Sequence, residues 1–71
     1  MRQYLVTFHK VVPDGSGHDR RALQHHVVVA AGSEVAAATA AKAMFCDRAG
    51  IADWRLRADT CEAVELSDVA A

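Results

Sequence analysis

Only one segment of this chain is suited to an α-helix, and its side chains are mostly methyl groups. From Val35 to Arg48 (VAAATAAKAMFCDR) nearly every residue is a strong helix former. Ser33 precedes the run as a suitable N-cap, and Glu34 puts a carboxylate where the helix dipole favours it. Gly50 stands where a left-handed residue ends a helix. These signals predict a helix over residues 34–49. On a helical wheel Val35, Ala38, Ala41, Phe45 and Ala49 share one arc, with Phe45 as its anchor. Ala36, Ala40 and Ala43 form a second, outward stripe that ends at Asp47. Solvent-exposed alanine is the ordinary reading of such a stripe, and a contact face for another helix is the functional one.

The remaining pattern is that of strands. Residues 3–12 (QYLVTFHKVV) are rich in β-branched and aromatic side chains, with Tyr4, Val6 and Phe8 on one face and Leu5, Thr7 and His9 on the other. Pro13-Asp14-Gly15-Ser16-Gly17 is a dense turn signal. Residues 21–31 (RALQHHVVVAA) read as a second strand with Leu23, His25, Val27 and Val29 on one side, which makes a hairpin with a loop of about eight residues. Further on, Trp54-Arg55-Leu56-Arg57-Ala58 alternates apolar with charged, placing Trp54, Leu56 and Ala58 inward and Arg55 and Arg57 outward. A third strand is expected over residues 54–66, continuous or divided by a turn near Asp59, with residues 67–71 as a frayed tail.

The expected fold is therefore a single α+β domain over residues 1–71, starting at Met1. It has a three-stranded antiparallel β-sheet with one α-helix packed on one face, in the order β-β-α-β. Fifteen of the 71 residues are alanine, so the core between helix and sheet must be thin. A domain of 7.6 kDa hides only about 60% of the surface of its unfolded chain, which leaves stability narrow. One helix shields one face of the sheet. Yet Leu5 and Val11 oppose Val6 and Phe8, and Val28 opposes Val27 and Val29, so the first two strands are partly apolar on both sides. That pattern favours a homodimer, formed by stacking two sheets or by pairing them edge to edge.

Several functional classes find little support. The net charge is −1, so no global field draws in polyanions. The apolar runs at 27–31 and 35–41 are far too short to cross a membrane, and the N-terminus lacks the pattern of a signal peptide. Cys46 and Cys61 are too few for a disulfide framework. A soluble cytoplasmic protein is the expectation. Four histidines lie within the first 26 residues, but His25 and His26 are adjacent and point to opposite faces of a strand. No metal-ligand spacing is present, and neither a metal nor a cofactor is expected. Ser16 sits between glycines in a turn, without the spacing of a nucleophile elbow, and Cys46 lies at the wrong helix end for thiol activation.

What is left is a non-enzymatic interaction module that contacts itself and another protein. The candidate contact residues are Arg55 and Arg57, followed by His25 and His26. The competing class is a nucleic-acid-binding domain using Arg20, Arg21, Arg55 and Arg57. Against it stand the aromatic residues, which all fit core positions, and the segment from Asp59 onward, which is acidic with no base. Residues 1–33 carry net +2 and residues 59–71 carry −4. That asymmetry could steer two copies together, or draw the acidic strand onto the hairpin within one copy.

Overall fold

The computed structural model describes residues 1–66. It contains β1 (Arg2–Pro13), β2 (Asp19–Ala31), α1 (Glu34–Ala49), a 3-10 turn (Trp54–Leu56) and β3 (Thr60–Glu65). The strands form one antiparallel sheet in the order β2-β1-β3, with α1 across one face. This is the expected α+β, β-β-α-β architecture. The expected tail, 67–71, lies outside the described residues.

β1 is central because its alternation is the cleanest in the chain. Tyr4, Val6 and Phe8 are 2%, 0% and 0% exposed beneath the helix. Their partners in register, Val29, Val27 and His25 on β2 and Glu65, Ala63 and Cys61 on β3, share that face. From α1 the line Ala37, Ala41 and Phe45, four residues apart, meets them. The two alanines let the helix backbone approach closely, and Phe45 closes the layer against Phe8 with ring centroids 4.6 Å apart.

The helix ends are capped as the sequence predicts. Ser33 Oγ accepts from Ala36 N–H at 3.1 Å. Gly50 takes φ +67°, and Ile51 N–H donates to Cys46 O at 3.0 Å. In the hairpin loop Asp14 accepts from Ser16 N–H, Ser16 Oγ and His18 N–H, so Ser16 is a turn residue tied to a carboxylate. These bonds hold the Asp14 carboxyl below its usual range.

Four details differ from the sequence reading. First, Val35 is 77% exposed. The buried line runs through Ala37, and two residues of helix carry Val35 about 200° round from it. Second, β2 gains a bulge: Phe8 faces His25 but His9 faces Leu23, so Gln24 is the extra residue. Leu23 is thereby moved from the side of His25 to the uncovered face.

Third, residues 54–58 are not strand. Asp53 accepts from Arg55 N–H at 3.0 Å and caps a 3-10 turn, and Ala58 N–H closes back on Trp54 O at 3.2 Å. Fourth, Leu56 is 64% exposed, whereas Ala58 is fully buried. Trp54 is half-buried at the rim of the core, edge-on to Phe8 at 5.8 Å with Lys42 Nζ 5.1 Å from its ring. Pairing resumes at Asp59, whose N–H donates to His9 O and whose carboxylate accepts from Val11 N–H, both at 2.7 Å.

These positions rank the core residues. Phe8→Ala should cost about 3–5 kcal/mol in urea denaturation, and Trp54→Ala, at the rim, about half of that. Equal losses would show that Trp54 belongs to the core proper.

Candidate interaction surfaces

Two surfaces are candidates, the sheet face opposite α1 and the flank of β2 beside the end of α1. On the open face Leu5 lies in register with Val28 on one side and Val64 on the other, an apolar row across all three strands. Val28 and Val64 are 53% and 56% exposed. Thr7 stands next, flanked by His26 and Glu62, and then His9, flanked by Leu23 and Thr60. Val11 and Leu23 add exposed apolar area at the hairpin end.

The charges on this face are paired. Arg21 of β2 reaches over β1 to form an ion pair with Glu62 of β3, passing 3.4 Å from His9 Nδ1. On the helix-covered face, Arg2 Nε lies 3.1 Å from Glu65 Oε1. The acidic strand is thus drawn onto the basic hairpin within one copy. Exposed pairs of this kind contribute at most about 1 kcal/mol each, but they set what the face offers a visitor. It is an apolar band bordered by neutralised charge.

The second surface lies where the last turns of α1 lean over β2. Gln24, His25, His26, Val27, Met44, Asp47 and Arg48 border two adjoining hollows of about 460 and 410 Å³. His25 faces the helix, its ring stacked on Phe45 at 5.1 Å and 10°, and 6.0 Å from Phe8. Burial, together with the nearby positive Arg48, lowers the His25 pKa below the ordinary histidine value. His26 points to the open face. The two histidines do point to opposite sides of the strand, yet both border this groove.

The candidate arginines are scattered. Arg55 is held by its own neighbour Asp53, with Nη2 3.0 Å from Oδ2, on the 3-10 turn and not on the sheet. That pairing keeps Asp53 low and Arg55 high in pKa. Arg57 is the exposed residue ending the same turn. Arg20 and Arg21 alternate to opposite faces of β2. The four therefore do not share one face.

Sequence reasoning missed Met44 and Arg48 as surface candidates and took Asp47 only as the end of an alanine stripe. A helical wheel gives no warning that the helix end would overhang β2. Among the described residues no group of three or more His, Cys, Asp or Glu converges as metal ligands would, and no helix is long and apolar enough to cross a membrane. Burial raises the Cys61 pKa, which keeps that thiol protonated at neutral pH. The chain matches no protein-family model, no curated protein and no solved structure.

The His25 stack makes stability depend on pH. A histidine whose pKa is lowered by folding contributes fully above about pH 6.5 and progressively less as acid protonates it. The urea midpoint should therefore fall between about pH 7.5 and pH 5, and His25→Gln should flatten that decline. An unchanged slope in the variant would remove His25 as its source.

Proposed function

We propose that this protein is a small non-enzymatic interaction module of the cytoplasm that acts through protein–protein contacts as a homodimer. The observation that carries the reading is the apolar row Leu5, Val28 and Val64, left uncovered among the described residues on a sheet whose helix α1 lies on the opposite side. Water gains nothing from such a row, and a docked protein surface would release that cost.

Three of the side chains that could do chemistry are otherwise engaged, which supports a non-enzymatic role. Ser16 is bonded to Asp14, His25 is packed on Phe45, and the Cys61 thiol is pushed up in pKa. Arg55, Arg57, His25 and His26 divide between the 3-10 turn and β2, so a role in recognition falls first to the histidines beside the groove.

The nucleic-acid alternative asks Arg20, Arg21, Arg55 and Arg57 to act as one basic surface. Two of the four are committed to carboxylates, and Arg20 and Arg21 face opposite ways. Light scattering of the purified protein should give twice the 7.6 kDa chain mass at micromolar concentration. Heparin at about 50 mM salt, where phosphate-type contacts are strongest, should not retain it. A single-copy mass together with firm retention on heparin would replace this reading with the nucleic-acid one.

A further inference from the structure

We propose that two copies pair antiparallel along β2, around a two-fold axis beside His26, so that Arg48 of each helix faces the second copy's Asp47. This deepens the homodimer reading and rests on it. It names the surface and the occupant.

The sheet has two free edges, and they are built differently. β3 is six residues long and carries Glu62 and Glu65. β2 is thirteen residues long and bonds to β1 on one side only. From Ala22 to its end at Ala31 it contains no Asp, Glu, Lys, Arg or Pro. Charged residues, prolines and short length are usual guards against edge pairing, and β2 has none of them over this span; its one guard is the bulge at Gln24, beyond which residues 25–31 run in regular register. Its exposed amides and carbonyls form a template for another strand.

The identity of that strand follows from the groove beside it. A two-fold interface must be complementary to itself: what residue i offers, residue j must answer. Asp47 and Arg48 bring opposite charges to the rim of one groove. Neither makes an ion pair or a side-chain hydrogen bond among the described residues. The same groove is bordered by Met44 of the helix, 48% exposed, and by the half-buried Val27 of the strand. Rotating the patch onto itself sets apolar groups at the axis, with each Arg48 across from an Asp47. An unrelated acidic or basic peptide would satisfy only one of the two charges.

Pairing of this kind joins the two sheets into one of six strands, with both helices on the same side. Three strands at about 4.8 Å spacing and six residues at about 3.4 Å rise give an open face of roughly 300 Å² per copy. A standard protein interface needs about 800 Å² from each partner. Merging two open faces brings the platform much nearer that size.

The test is a charge exchange read by sedimentation or light scattering. Asp47→Arg and Arg48→Asp should each weaken self-association at least about tenfold, because each sets like charges against one another. An equimolar mixture of the two variants restores both pairs and should regain the dimer. Amide exchange in the wild-type protein should also slow along residues 23–31 as concentration rises. Dimers that survive both substitutions, or variants that stay apart when mixed, overturn this arrangement and leave the homodimer reading intact. A wild-type protein with the mass of one copy at every concentration overturns both.

Discussion

The contact of Phe8 with Phe45 joins two layers that otherwise meet only through small side chains. Ala37 and Ala41 lower the helix onto β1, and the two rings then fill the space at its far end. His25 extends the stack outward and Trp54 closes it from the other side. A core made this way is narrow but closely packed, and dispersion across it is strong for its size. Its geometry also explains why the last turns of α1 sit over β2. Phe45 must reach Phe8 and His25 together, and Met44, Asp47 and Arg48 are carried along to the edge of the sheet.

Much of this architecture could be read from residue patterns. Alternation along Tyr4, Val6 and Phe8 identified the first strand, though not its central place in the sheet, and Ser33 and Gly50 bounded the helix through local chemistry that acts within a few residues. The failures came where a local choice competed with periodicity. WRLRA alternates like a strand, but the Asp53 carboxylate, bonded to Arg55 N–H, turns the chain instead. The Gln24 bulge leaves no mark on alternation, since it depends on the register with β1. Val35 looked like a core residue because it shares an arc with Ala38 and Ala49, whereas the buried line runs through Ala37, Ala41 and Phe45 and leaves Val35 to one side.

The surface candidates followed the same division. That His25 and His26 point to opposite faces was legible because neighbouring strand residues must diverge. Arg55 and Arg57 were placed on a sheet face only through the mistaken strand, and once the turn forms their positions no longer suggest a shared target. Arg48 and Met44 depend on where a helix crosses a strand, a tertiary fact with no signature in spacing. Ion pairing between hairpin and third strand was foreseen as one of two possibilities. Arg21 with Glu62 and Arg2 with Glu65 realise it inside a single copy.

The unequal edges of this sheet also limit the size of any assembly. β3 is brief and carries two carboxylates, whereas β2 is long and bare of formal charge over most of its length. Strand addition can therefore happen once on the bare side. In the proposed pair both outer margins are the six-residue β3, which offers the next molecule little backbone to pair with. Such a pair would close on itself and not run on into a fibre.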